Sequence, residues 1–294
     1  GGEVSDNEGY GFSNVRGNIS VSDATISGNS CAGVMNFGGS DVLTGNTFSS
    51  TTPGQLSAAI VEYGNAGSLI SANHFIENQN TEDTLVVYDY SKYYDEETCE
   101  TYPQYCYVDT YTYVDKPESI DIYLTLESSS TITDNIFETG DFGIMSYGSE
   151  LTVTGNSWTE YRATLLESSY TYNADYTEQI PGEVEFGSNV ISGYGGNAIE
   201  CAYSNLEVSE STFSDGTEYS YTYTLSREYP EGSGYSDFIN EYSSTQLGAV
   251  LWGNGCTALV DDLEVSGLAG NLLTTYSYSW PGSYELVDVN ATNI

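Results

Sequence analysis

The segments "LTVTGNSW" (residues 151–158) and "SLISANHF" (residues 68–75) share few identical residues yet follow one template. Each has an apolar anchor (Val153, Ile70), a hydroxyl residue one place later, asparagine three places later (Asn156, Asn73) and an aromatic five places later (Trp158, Phe75). The frame extends along the chain, with anchors at Val21, Leu43, Ile70, Ile132, Val153, Phe186, Val208, Val260 and Val289. Their partners five residues on are Ile26, Phe48, Phe75, Phe137, Trp158, Ile191, Phe213, Val265 and Ile294, all apolar. Anchor spacings of 22, 27, 62, 21, 33, 22, 52 and 29 residues give a floor of 21 or 22, with every larger value a rung plus an insertion. A fixed floor with extruded loops marks a solenoid.

Asn46, Asn73, Asn135, Asn156 and Asn189 hold the third place in five consecutive rungs. Asparagine tolerates left-handed backbone at a bend, and amides stacked at strand spacing can bond to one another, so an asparagine ladder is expected at one corner. A second half-template, at Val34, Ile60, Ile122, Ile144, Ile199 and Val250, precedes most anchors by nine or ten residues. Each rung therefore holds at least two short strands. Helical periodicity is absent, and the leucine-rich repeat signature is missing. The expected fold is all-β, a right-handed parallel β-helix of about nine rungs, forming one domain over residues 1–294. Insertions are placed at about 79–119, 161–182, 217–247 and 273–284. They are rich in tyrosine and acid, and their Tyr-Thr-Tyr alternation suits strands with aromatics on one face, either binding a partner or covering the helix flank.

With 43 acidic against 5 basic residues, a formal net charge of −38, the surface should repel nucleic acid, anionic lipid and acidic polysaccharide. It could attract Ca²⁺ or other divalent cations, or serve only solubility or salt adaptation; no other cofactor is expected. No apolar run is long enough to span a membrane and no signal peptide is visible. Cys99 and Cys106 flank "ETYPQY" and are expected to form a local disulfide, which places the chain in an oxidising compartment. Cys31, Cys201 and Cys256 read as small buried hydrophobes. Sequons at Asn18 and Asn290 permit glycosylation.

Carbohydrate chemistry on a β-helix needs clustered carboxylates with a histidine or cations in one groove. Asp261 and Asp262 are adjacent without such partners, His74 sits at a surface position of its rung, and the basic residues Arg16, Lys92, Lys116, Arg162 and Arg227 are scattered. No catalytic residue is assigned and no enzyme is expected, with a polysaccharide lyase or glycoside hydrolase as the alternative.

The stretches "GGNAIECAYSNLEVSESTFSDG" (195–216) and "NHFIEN" (73–78) resemble the repeats of polymorphic outer-membrane proteins and kindred β-helix surface proteins. Gly195, Gly196, Ala198 and Ile199 loosely match that family's Gly-Gly-Ala-Ile-like strand, and Phe75 to Asn78 matches its Phe-x-x-Asn element. The resemblance implies an extracellular or cell-surface, adhesive or structural role, and carries no catalytic residue over. The ends suggest self-assembly. Val289 and Ile294 leave the last coil unfinished, and Gly1, Gly2 and Val4 resemble the next half-template, so one subunit could stack on the next in a head-to-tail filament. A fragment of a longer protein would give the same blunt ends. The expected function is thus an extracellular structural or adhesive component, polymeric and in contact with glycans; the alternative is a polysaccharide-active or carbohydrate-binding β-helix.

Overall fold

A computed structural model describes residues 1–49, 58–78, 86–92, 101–102, 104, 106–114, 116, 118–173, 175–230, 233–246, 248–275 and 288–292, with the backbone alone at 86–92 and 288–292. The repeats build three parallel sheets, here A, B and C, of nine strands each among the described residues. One turn of the chain visits each sheet once: Glu150–Thr154 in C, Ser157–Tyr161 in A, Leu166–Ser169 in B. This is a parallel β-helix, with three strands per rung where the sequence frame resolved two. The missed strand begins the stretch read as the 161–182 insertion, which shrinks to a hairpin between Thr171–Tyr172 and Gln179–Ile180.

Anchors from Val21 through Val260 stack in register in sheet C, and their fifth-place partners from Ile26 through Val265 stack in sheet A. The corner between C and A has one conformation. The residue two places after each anchor from Val21 to Val260 is left-handed: Asp23, Gly45, Ala72, Asp134, Gly155, Ser188, Glu210 and Asp262 have φ between 48° and 68°. The expectation that asparagine takes the bend is corrected, because the bend lies one residue earlier and frees the amide to reach along the stack. A second left-handed row lies within one residue of the close of the sheet A strands, at Asp6, Gly28, Glu77, Thr139, Glu160, Gly193, Asp215 and Gly267.

Inside, the sheet A row becomes a column of rings. Phe48, Phe75, Phe137 and Trp158 stack at centroid distances of 5.0, 4.6 and 4.8 Å with planes within 9° of parallel. Strand spacing near 4.8 Å imposes that separation, and the offset faces suit aromatic pairs.

Two other expectations change. The chain divides into two compact units rather than one domain: Gly1–Gln79, Pro117–Tyr219 and Gln246–Ile294 form the β-helix, and Asn80–Lys116 with Ser220–Thr245 form the other. The first and third insertions thus combine in one four-stranded antiparallel sheet, ordered Val86–Lys92, Tyr107–Val114, Tyr219–Glu228, Phe238–Gln246. Tyr111, Tyr113, Tyr221, Tyr223 and Tyr242 make a network of ring contacts in it, and Arg227 bonds Asp109 through two nitrogens at 2.6 and 2.7 Å while lying 3.6 Å over Tyr107. Of the fourth insertion, Leu273–Thr275 is a strand of sheet B, and 276–287 lie outside the described residues.

Candidate functional site

In sheet B, Ile122, Ile144, Leu166, Ile199 and Leu251 face the core in successive rungs. Side chains alternate along a strand, so the next residues, Tyr123, Met145, Glu167, Glu200 and Trp252, form an outward row. Two carboxylates therefore occupy adjacent rungs between a tyrosine and a tryptophan. Tyr147, on the same face, donates its hydroxyl to Glu167 Oε1 at 2.9 Å. Glu200 Oε1 accepts hydrogen bonds from Asn197 Nδ2 at 2.9 Å, Thr164 Oγ1 at 3.0 Å and Gln246 Nε2 at 3.2 Å. Its Oε2 takes no hydrogen bond from the described residues. The two glutamates differ in surroundings: burial pushes the Glu167 carboxyl above its ordinary range, the Tyr147 hydroxyl opposes this, and the charge of Glu200 adds to the rise.

The hairpin from sheet B completes the site. Asn173 closes its bend, its Oδ1 accepting the N–H of Thr177 at 2.9 Å and of Glu178 at 3.3 Å. This sets Tyr170, Tyr172 and Tyr176 in a chain of ring contacts, with Tyr170 also edge-on to Tyr203 at 5.2 Å. Tyr147, Tyr170, Tyr172 and Tyr176, with Leu126, Ser169, Thr171 and Asn173, line a cleft of about 430 Å³. Tyr147 is shared, lining the cleft and bonding Glu167 with its hydroxyl.

The residues singled out from sequence fall elsewhere. Asn73, Asn135 and Asn156 each donate to the side-chain oxygen of the asparagine above, at 3.0 to 3.1 Å, and to a carbonyl of the rung below, at 2.8 to 3.0 Å. Asn46 does the same toward Asn73 and Val21 O, and Asn189 bonds Val153 O. These amides are buried and fully engaged, so the ladder is structural. Cys106 is buried and disulfide-bonded; Cys99 lies outside the described residues. Cys201 and Cys256, read as buried hydrophobes, are instead joined by a disulfide. They occupy positions on either side of the corner between B and C, which a linear reading separates by 55 residues.

Asn18 is exposed at the start of a strand, its Oδ1 accepting the backbone N–H and the hydroxyl of Ser40. Asn290 lies in the last strand of sheet C, paired with Leu259. The expected match of the N-terminal residues to the half-template does not survive the register. Val4 pairs with Ile26 in sheet A, not with the row of Ile199; Gly2 pairs with Ala24; and Val289 pairs with Ala258, so the anchor row passes to Ala291. Gly1 adjoins Asp23, and Ile294 lies outside the described residues. Alternation explains the slip, since Val289 and Ala291 have the same parity.

Glu150, Glu183, Glu185 and Glu207 share the outer face of sheet C, but Glu183 is taken by Asn205 Nδ2 at 2.6 Å. Among the described residues, no group of three or more acidic, cysteine or histidine side chains is disposed to hold a metal. His74 pairs with Glu138 at 2.8 Å on the outside of sheet A.

The site residues that sequence reading missed are Glu167 and Glu200. The half-template had no member between Ile144 and Ile199; placing Leu166 there would have put Glu167 and Glu200 side by side. Compared with models of protein families, with curated proteins and with solved structures, the chain gives no match.

Proposed function

We propose that the protein is an extracellular structural or adhesive β-helix that binds a neutral polysaccharide at the tyrosine-lined cleft on sheet B. The observation that carries this reading is the set of four tyrosines, Tyr147, Tyr170, Tyr172 and Tyr176, around a cleft of about 430 Å³, a volume suited to a few sugar rings. Phenol rings offer flat apolar faces to the C–H faces of sugars and hydroxyls to their oxygens. A net charge of −38 disfavours anionic chains, so the ligand is uncharged. The Cys201–Cys256 disulfide supports an oxidising compartment. No helix among the described residues is long and apolar enough to cross a membrane.

The test is calorimetric titration with neutral hexasaccharides of glucose, xylose and mannose beside hexagalacturonate. Binding of at least one neutral sugar, weakened tenfold or more in Tyr170→Ala, is expected. Preference for hexagalacturonate, or no binding to any of them, overturns the reading. Self-association is favoured by the tyrosine network of the four-stranded sheet rather than by the chain ends. Sedimentation velocity with Tyr223→Ser checks it: the native chain should run as an oligomer and the variant as a monomer.

A further inference from the structure

The glycan reading leaves the paired glutamates without a task, and their chemistry differs from a binding role. Register partners on adjacent parallel strands lie about 4.8 Å apart at the backbone. Carboxyl groups held at that scale match the roughly 5 to 5.5 Å separation at which glycosides are cleaved with retention of configuration. Glu167 is mostly buried and bonded to a tyrosine that also lines the cleft. Glu200 has one oxygen fixed by Asn197, Thr164 and Gln246 and the other unengaged by the described residues. One group is thus placed to give up a proton, and the other is oriented with a free oxygen. Trp252, next to Glu200 in the row, and Tyr123, two rungs below Glu167, provide a ring on either side for sugar units flanking the bond.

We infer that the outer face of sheet B is a retaining glycoside hydrolase site for the same neutral polysaccharide, with Glu167 as general acid and base and Glu200 as nucleophile. This rests on the glycan-binding reading. As the bond from the anomeric carbon to the leaving oxygen breaks, Glu167 passes its proton to that oxygen and Glu200 Oε2 forms an ester to the anomeric carbon. Water then attacks that carbon, its proton returns to Glu167, and the ester bond to Glu200 breaks. The net change is addition of one water across one glycosidic bond. Burial raises the Glu167 carboxyl, the direction that an acid role needs.

The experiment incubates the native protein with each hexasaccharide that it binds and follows new reducing ends and their anomeric configuration by proton NMR. Cleavage with retention is expected. Glu167→Gln and Glu200→Gln should each lower kcat by about 10²- to 10⁴-fold while the dissociation constant stays within about threefold. Trp252→Ala should instead weaken binding about tenfold. Binding without turnover, turnover unchanged in Glu200→Gln, or inversion of configuration overturns the hydrolase while leaving the binding reading intact. Absence of binding overturns both.

Discussion

Two sets of aromatic rings run along this β-helix, and they behave differently. Phe48, Phe75, Phe137 and Trp158 inside sheet A are fully buried and stacked within 9° of parallel. Tyr63, Tyr123 and Tyr147 outside sheet B are partly exposed, 5.7 to 6.2 Å apart and tilted by 43° to 57°. The inner rings are register partners on successive strands, whereas Tyr63 and Tyr147, each in register with Thr125, lie diagonal to Tyr123. Register sets the stack, since the in-register outer pair Phe37 and Tyr63 also stacks, at 4.6 Å and 5°; the diagonal outer rings tilt, and Tyr147 gives its hydroxyl to Glu167. The inner column holds the fold, and the outer rings are available to a ligand.

The comparison breaks most sharply by truncation. Phe137→Ala opens a cavity between two stacked rings and should cost about 3 to 5 kcal/mol, measured by denaturant unfolding. Tyr170→Ala, outside, should cost about 1 kcal/mol or less while losing glycan affinity. A similar stability loss at both positions would erase the distinction.

The next effect separates the ladder of neutral amides from the buried carboxylates. Asp41 is pushed up to about 6 and Glu62 and Asp121 to about 7, above all by burial. Glu62 faces Ser130, Asn65, Ser68 and Asp41; Asp121 faces Asn78, Tyr161 and Asp141. A carboxyl raised in the folded state contributes stability that is full below its unfolded value near 4 and is lost as pH rises to about 7. The melting temperature should therefore fall on the order of 5 to 10 °C between pH 4.5 and pH 8. Glu62→Gln and Asp121→Asn should flatten that slope, whereas Asn135→Ala should lower the whole curve through the unpaired N–H of Asn73 and carbonyl of Ile70. Scanning calorimetry across pH reads all three.

The smallest effect concerns the corners. Ala72 is left-handed with φ 54°, in the row where other rungs use Gly45 and Gly155. Ala72→Gly removes a clash of about 1 kcal/mol and adds a similar entropy cost to folding, so its stability should move by less than about 0.5 kcal/mol. Inside the strand Ala58–Tyr63 the same glycine substitution at buried Ala59 should be clearly destabilising.

Sequence showed the rows in which one residue type recurs. Asparagine at the third place and an apolar or aromatic residue at the fifth repeat often enough to reveal sheets C and A. Sheet B was only half legible, because its inward row mixes Val34, Leu166 and Leu251 with irregular spacing. Its outward row, Tyr123, Met145, Glu167, Glu200 and Trp252, repeats a residue type only at the two glutamates, so no repeat announces it. The same holds between B and C, where Asn36, Glu62, Leu124, Ser146, Ser168 and Cys201 stack in register with only the two serines alike. Parity did mark Glu62: in "AAIVEY" it shares the inward phase of Ile60, a carboxylate where an apolar residue is expected. The pairing of two insertions into one sheet depends on contacts more than 100 residues apart, as between Asp109 and Arg227 with a separation of 118, and local pattern carries no trace of these.

The most direct measurement is NMR of protein labelled on its tyrosine and phenylalanine rings, titrated with the neutral hexasaccharide that binds tightest. Ring signals of Tyr147, Tyr170, Tyr172 and Tyr176 should shift together on binding while those of Phe48, Phe75 and Phe137 stay in place. Shifts confined to Tyr111, Tyr113, Tyr221 and Tyr223 of the four-stranded sheet, or no shift in any ring, would contradict it.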